Sequence, residues 1–322
     1  MEATADAPPR PEFLALGGFY KTDLEPWLAA HEGRRQKARL LRFVIIGGGF
    51  AALAVWLGIV LTGDWSEFWF FVMFVLGMVI IVVGNIPISR LQSDVKKFVM
   101  EKLAGFFNFT YMAKPDFADV RLFHDLGLLP MHDTRNFEDG LEGDIKGVPF
   151  RMVDAHLTKR HKSGNETKNV TVFRGLLLSL PYATHGKDAA SVWRRAAGTW
   201  MSGDDLREVT LGEPAFDRTY IVHCIDDETA RRLLDRDARA AFTAFDQREA
   251  VNDARLGVAE GRLLLVFNTG SDSFEAGKMT RALADPNRVQ AMVELFALPF
   301  DAVDGFKLQP VSPGAAGAKG SA

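Results

Sequence analysis

The chain has 322 residues and a formal net charge of -3, with 25% charged and 48% hydrophobic residues. Neither half is strongly basic, so the sequence lacks the electrostatic footprint of a nucleic-acid-binding protein and we expect no nucleic-acid partner. The single cysteine, Cys224, excludes an internal disulfide and fits a reducing compartment.

The N-terminal region contains two different segments. Residues 1–21 are rich in proline and small residues, which predicts a disordered N-terminus. Thr22 and Glu25 form a capping-box pattern, so we expect an amphipathic approach helix over residues 22–42. Two interpretations of this helix remain open: it lies on the inner membrane surface, or it is a solvated helix that leads into the membrane.

Two uncharged, strongly apolar stretches follow at residues 43–62 and 68–88. A helix rises about 1.5 Å per residue and the hydrocarbon core is about 30 Å thick, so about 20 residues suffice to cross it. The short linker between them leaves no room for a domain. Residues 43–88 therefore predict a transmembrane hairpin, with the lipid bilayer as a partner. The alternative, a pair of buried helices in a soluble core, conflicts with the absence of a polar stripe.

Basic residues flank the outer ends of both stretches, whereas the linker carries Asp64 and Glu67. The positive-inside rule then predicts that both termini and the soluble domain are cytoplasmic. The residues that carry this orientation are Arg34, Arg35, Lys37, Arg39, Arg42, Arg90, Lys96 and Lys97.

Four small residues, Gly47, Gly48, Ala51 and Ala52, form a patch in the first stretch, with glycine and alanine four positions apart. Such spacing lets helix backbones approach closely. The patch predicts either packing of the hairpin on itself or self-association into a homo-oligomer.

The remaining residues predict an α+β fold. Residues 89–112 have apolar residues at helical spacing, which predicts a stalk helix. Residues 113–309 predict an α+β domain with an antiparallel sheet and flanking helices. We expect residues 310–322 to form a disordered tail. Within the domain we expect a hairpin at Gly147, a strand over 170–182 and a short helix between 183 and 205. A further strand should run into a helix capped by Asp226 or Asp227, and a final helix should begin near Asp285.

Three short motifs in this order carry a resemblance: Glu142-Gly143 at the entry to a hairpin, Phe173-Arg174-Gly175 in a strand, and Asp226-Asp227-Glu228 at the start of a helix. The chain resembles, over roughly residues 25–305, the uncharacterised bacterial two-pass membrane protein family known as domain of unknown function 3137. The resemblance implies a pair of spans followed by a cytoplasmic α+β domain at a bacterial inner membrane. It implies no activity.

Candidate chemistry is sparse. His124-Asp125 and His132-Asp133 are two His-Asp pairs eight residues apart, which could supply metal ligands, but the spacing matches no known metal motif. His223 and Cys224 are adjacent on a predicted strand, so their side chains point to opposite faces and cannot act together. We therefore expect no catalytic residues and no cofactor.

Three functions fit these observations. The first is a membrane-anchored cytoplasmic binding or scaffold module with a protein partner of unknown identity. The second is a membrane-bound, metal-dependent hydrolase that uses the His-Asp pairs. The third is an oligomeric pore built from several hairpins, which the absence of polar residues in the spans disfavours.

Overall fold

A computed structural model describes residues 10–62, 68–163, 166–197, 206–274, 279 and 281–311. The chain forms two compact units, Met1–Phe107 with Ala276–Ala291, and Asn108–Glu275 with Met292–Ala322. We call them the helical unit and the sheet unit.

Two long helices form the core of the helical unit. A 3-10 turn at Pro11–Phe13 precedes helix α1 (Leu16–Phe19) and a π-helical stretch (Tyr20–Leu24), which continue into α2 (Glu25–Leu61). Helix α3 spans Phe68–Phe106.

The structure corrects one prediction at the start of the chain. Residues 11–21 are helical rather than disordered, because Phe13 and Phe19 contact Phe107 and Phe106 at ring-centroid distances of 4.8 and 4.7 Å. Composition alone does not reveal such a distant packing partner. Residues 1–9 lie outside the described part of the chain, as do the linker residues 63–67, which include Asp64 and Glu67.

The approach helix is the first part of α2, and its apolar face packs against α3. Leu24 and Leu28 are fully buried, and the Trp27 ring stacks on Phe98 at a centroid distance of 3.9 Å. Trp27 therefore faces the stalk part of α3, and Leu24 and Leu28 are buried inside the helical unit. Since α2 has 37 residues and α3 has 39, both helices are longer than the roughly 20 residues that a bilayer requires.

The sheet unit contains one nine-stranded antiparallel sheet, with strand order β1-β2-β3-β4-β9-β8-β5-β7-β6. The strands are β1 (Thr110–Met112), β2 (Thr134–Ile145), β3 (Val148–Ser163), β4 (Glu166–Pro181), β5 (Ala189–Arg194), β6 (Arg207–Val209), β7 (Tyr220–Cys224), β8 (Asp253–Ala259) and β9 (Arg262–Asn268). The helices are α4 (Val120–Asp125), α5 (Pro214–Thr219), α6 (Asp227–Leu233), α7 (Arg236–Asp246) and α8 (Pro286–Gly305), the last of which begins in the helical unit. The predicted α+β class with an antiparallel sheet is confirmed.

Tight turns and a cap explain several of these elements. Lys146 and Gly147 both have positive φ, 56° and 82°, which is typical of the two-residue turn of a β-hairpin. The carboxylate of Asp226 accepts a hydrogen bond from the Thr229 backbone N–H at 2.7 Å and caps α6, as the sequence predicts.

Some predicted boundaries differ from the structure. Between 183 and 205, where the sequence predicts a short helix, Ala189–Arg194 is instead strand β5, because it pairs with both β7 and β8 in the interior of the sheet. A 3-10 turn at Arg195–Ala197 follows this strand. Residues 198–205, the rest of the segment predicted as a helix, lie outside the described residues. The stalk helix ends at Phe106, and Thr110–Met112 already pairs with β2 as a strand. In the tail, the Val311 N–H donates to the Gly147 carbonyl at 3.0 Å, and residues 312–322 are not described.

Both faces of the sheet are covered. On one face Phe245 of α7 contacts Phe267 of β9 at a centroid distance of 5.3 Å. On the other, the segment around α4 lies so close to the sheet that a Cβ on Gly257 would be 2.7 Å or less from Leu126 and Leu128 side-chain atoms. The segment contributes Phe117, Val120, Phe123, Leu126, Leu128 and Leu129 to a buried apolar cluster.

Candidate functional site

The exposed apolar surface of the helical unit is the most distinctive feature of the described residues. Outside that unit, Met131 and Val170 are the large hydrophobic residues that stand exposed in the described chain. Within it, and apart from Leu14, the exposed large hydrophobic residues run from Leu40 to Ile86 on α2 and α3. Soluble proteins rarely expose so continuous an apolar surface, whereas lipid-facing helices require one. Two helical stretches are long and apolar enough to cross a bilayer, and this suggests membrane association. They are Pro11–Leu61, which includes α2, and Phe68–Phe106, which is α3.

Glycines bring the two helices together at two points. A Cβ on Gly49 would lie 2.7 Å from the Ile80 side chain, and one on Gly84 would lie 2.5 Å from Ile46. These contacts are tighter than real Cβ atoms tolerate, so each glycine admits an isoleucine from the opposite helix.

The predicted small-residue patch lies elsewhere on α2. Apart from the surrounding backbone of α2, no heavy atom of the described residues lies within 4 Å of a Cβ built on Gly47 or Gly48, and Ala51 and Ala52 are exposed. The hairpin's own contact uses Gly49, the next residue along the chain. The patch therefore faces away from α3, and its role in self-association stays a prediction.

The basic residues that predict orientation lie on α2 and α3, at the ends distant from the linker. Most of their side chains are exposed, and Lys96 is half-buried. Arg35 is different because it is buried, at 8% exposure. Its Nη1 donates to the Met279 carbonyl at 2.9 Å, so it also holds a distant chain segment.

That segment is fixed by three hydrogen bonds inside the helical unit. In addition to the Arg35 bond, Glu32 Oε2 accepts from the Leu283 N–H at 3.0 Å and the Tyr20 hydroxyl donates to the Ala284 carbonyl at 2.8 Å. The side-chain hydrogen bond from Arg35 and the Leu283 N–H lower the pKa of Glu32, against a smaller opposing effect of burial. The sequence gives no signal for this contact, because its members are about 250 positions apart.

The two predicted His-Asp pairs come together only in part. The His124 and His132 rings lie at a centroid distance of 4.7 Å, but their neighbouring carboxylates turn to other partners. Asp125 accepts from Arg121 at 3.2 Å, and Asp133 accepts from the Arg160 N–H at 2.6 Å. No group of three or more potential metal-binding side chains occurs among the residues that the structure describes.

Burial and the neighbouring His132 lower the pKa of His124. A neutral His124 can therefore pack beside a second imidazole at neutral pH. The contact between the two rings is therefore one that neutral side chains can make.

His223 and Cys224 point to opposite faces of β7. The His223 ring stacks on the fully buried Trp193 at 4.8 Å, whereas Cys224 is buried among the residues of the other face. Burial raises the pKa of the Cys224 thiol, so the reactive thiolate form is disfavoured.

Two grooves flank the loop between β4 and β5 in the sheet unit. One, of about 700 Å³, is lined by Asp125, Lys187, Asp188 and Glu260 together with apolar residues such as Leu206 and Ile225. The other, of about 560 Å³, lies beside Tyr182, Arg232 and Phe306. Both are open, and neither includes His124 or His132 in its lining.

An ion pair stiffens the loop between these grooves. Asp188 is 6% exposed, accepts from Arg232 Nη2 at 2.7 Å and accepts from the His185 N–H at 2.6 Å. Burial raises the pKa of Asp188, but the hydrogen bonds from His185 and Arg232 outweigh it and leave the pKa lowered. The charge is satisfied internally, which makes Asp188 a structural residue.

Comparison with known proteins gives one family and one distant structure. Residues 171–308 match a family described as protein of unknown function (DUF3137), which confirms the resemblance over that part of the chain. No curated protein matches the sequence. A crystal structure of the mycobacterial trehalose monomycolate transport factor A, TtfA, is similar over 68% of this chain and 98% of that one, at 12% identity and a TM-score of 0.37. A likeness of that size carries no functional argument.

Proposed function

We propose that this chain is a membrane-anchored binding or scaffold module of the bacterial inner membrane. Helices α2 and α3 cross the bilayer as a hairpin, and the sheet unit and both termini are cytoplasmic. The observation that carries the proposal is the continuous exposed apolar surface from Leu40 to Ile86, for which lipid is the natural solvent.

The cytoplasmic orientation is supported by the distribution of charge. Arg34, Lys37, Arg39 and Arg42 are exposed on α2 before its apolar part, and Arg90 and Lys97 are exposed on α3 after its apolar part. The linker contains no lysine or arginine. Since positively charged flanks stay in the cytoplasm, the linker should be on the outer side.

A binding role for the sheet unit is favoured over the hydrolase. In the described residues, His124 and His132 meet without a convergent carboxylate and outside both grooves. The two open grooves offer surface for a protein partner. The pore alternative requires several hairpins to associate, and the outward-facing Gly47 and Gly48 are where such contacts would form.

Cysteine accessibility tests the orientation. Cys224 is the single native cysteine and is buried, so Cys224→Ser provides a background with no reactive thiol. Thr62→Cys beside the linker and Ser271→Cys in the sheet unit place exposed thiols at two informative positions. In spheroplasts, an impermeant maleimide should label Thr62→Cys at once and Ser271→Cys only after lysis. The opposite pattern would overturn the orientation.

A further inference from the structure

The long hairpin of β3 and β4 extends beyond the rest of the sheet. Strands β3 and β4 pair with each other from Arg151 opposite Ser179 to Ser163 opposite Glu166. Strand β2 pairs with β3 only as far as Thr158, and strand β9 pairs with β4 only from Gly175 onwards. The outer part, residues 159–163 and 166–172, is therefore a two-stranded ribbon without an adjoining strand among the described residues. We call it the basic ribbon.

The basic ribbon concentrates positive charge in a chain whose net charge is negative. Residues 159–172 contain four lysines and arginines against one glutamate, a formal charge of +3, whereas the whole chain carries -3. The cationic side chains are exposed; they are Lys159, Arg160, Lys162 and Lys168, with His161 among them. Within the described residues, the side chains of Lys159, Arg160 and Lys162 form no ion pair with a carboxylate.

The strand register places cations on both faces of the ribbon. Lys159 lies opposite Val170 and His161 lies opposite Lys168, so these four side chains share one face. Arg160 and Lys162 project from the other. Across the strand pair, Lys159, Arg160 and Lys162 lie opposite Val170, Asn169 and Thr167, so none of the three lies opposite a carboxylate.

Val170 adds an apolar group to this charged surface. It is 49% exposed and is one of the few large hydrophobic side chains that are exposed away from the membrane helices in the described chain. Lysines beside an exposed aliphatic residue suit a bilayer interface, where the cations meet phosphate and the aliphatic group enters the boundary of the acyl region.

We infer that the basic ribbon binds the headgroups of anionic phospholipids. The inference rests on the proposed membrane attachment, which holds the chain at a lipid surface. Cations spread over both faces of a narrow ribbon match a fluid, negatively charged layer better than the single surface of a rigid acidic protein. Each lysine or arginine near an anionic leaflet strengthens such binding, and salt weakens it.

The test uses the full chain in nanodiscs of phosphatidylcholine, alone or mixed with anionic phosphatidylglycerol, and follows amide hydrogen exchange by mass spectrometry. Exchange in residues 159–172 should slow by about tenfold in the anionic discs at about 0.1 M salt. The difference should vanish at about 1 M salt, where the screening length falls to about 3 Å.

Two triple variants make the result specific. Lys159→Gln with Lys162→Gln and Lys168→Gln should abolish the difference between the two lipid compositions. A matched variant, Lys114→Gln with Arg121→Gln and Lys187→Gln, removes three exposed charges elsewhere in the sheet unit and should retain it.

Peptides from α2 and α3 separate this inference from the proposed function. If these peptides are protected in the discs while the ribbon exchanges equally in both lipids, the ribbon does not bind anionic lipid and the attachment still stands. If the ribbon variant keeps the lipid-dependent protection, the cations do not cause it and the inference is wrong. If the chain does not enter the discs at all, the membrane attachment itself fails.

Discussion

Replacement of Asp246 by asparagine should loosen the contact between α7 and the sheet. The Asp246 carboxylate is 2% exposed and accepts hydrogen bonds from Arg194 Nη2 and the Tyr220 hydroxyl, both at 2.8 Å, and from the Ala254 N–H at 3.1 Å. Asp246→Asn keeps the size of the side chain but removes its charge and one acceptor. It leaves Arg194 without its charged partner.

The expected cost is about 2 kcal/mol in the free energy of unfolding. Breaking a buried ion pair costs about 3–5 kcal/mol, but the Arg194 side chain is 36% exposed and water compensates part of its loss. Tyr220→Phe is the milder control, because it removes one hydrogen bond and should cost about 1 kcal/mol.

Thermal unfolding of the full chain in detergent, followed by near-ultraviolet circular dichroism, measures both variants. A loss of about 2 kcal/mol corresponds to a fall in Tm of about 4–8 °C for a unit of this size. If Asp246→Asn destabilises no more than Tyr220→Phe, the carboxylate does not hold Arg194 and the reasoning is refuted.

Tyr220 adds a pH-dependent signature. Burial, followed by the hydrogen bond to Asp246 and its charge, raises the pKa of Tyr220 from 10.0 to about 12. Because the folded protein holds this proton more tightly than the unfolded chain, stability is fully present below pH 10 and is lost as the pH rises towards 12. Tyr220→Phe should lack this alkaline loss, and in Asp246→Asn it should be smaller.

Three further predictions follow from close contacts and shifted pKa values. Gly175→Ala should destabilise the sheet unit by about 3 kcal/mol in denaturant unfolding, because its Cβ would lie 2.0 Å from the Phe267 carbonyl oxygen; a neutral effect would contradict the strand register. Glu32→Gln should speed amide exchange at residues 281–285 by about fivefold, equivalent to about 1 kcal/mol. Since the pKa of Glu32 is lowered, the native contact should weaken as the pH falls through that pKa. Protection factors at residues 281–285, which correct for the intrinsic pH dependence of exchange, would disprove the contact if they changed with neither the substitution nor the pH. His132→Gln should raise the pKa of His124 in an NMR titration, because a cationic neighbour is lost, and an unchanged pKa would show that the rings do not interact.

The parts of the fold that the sequence predicts best are those with a strong local pattern. The apolar stretches of α2 and α3 are long and uninterrupted, and the Lys146-Gly147 turn and the Asp226 cap depend on residues next to each other in the chain. In Phe173-Arg174-Gly175, the third position requires glycine, because any other residue would clash with the backbone of β9.

The parts that the sequence does not predict depend on distant contacts. The segment Ala189–Arg194 is short and contains alanine and arginine, so its own residues do not predict a strand. It forms β5 because it pairs with β7 on one side and β8 on the other. The helical conformation of residues 11–21 depends on Phe106 and Phe107, and the role of Arg35 depends on Met279. Strand periodicity does place His223 and Cys224 correctly on opposite faces, but no local pattern shows that His124 and His132 meet without their carboxylates.

Extraction of native membranes tests the membrane anchor most directly. Alkaline carbonate removes peripheral proteins and leaves proteins with spanning helices in the pellet. If α2 and α3 cross the bilayer, the chain should stay in the pellet after carbonate and enter the supernatant only with detergent. A chain that carbonate or salt alone releases in soluble form would show that lipid does not cover the surface from Leu40 to Ile86.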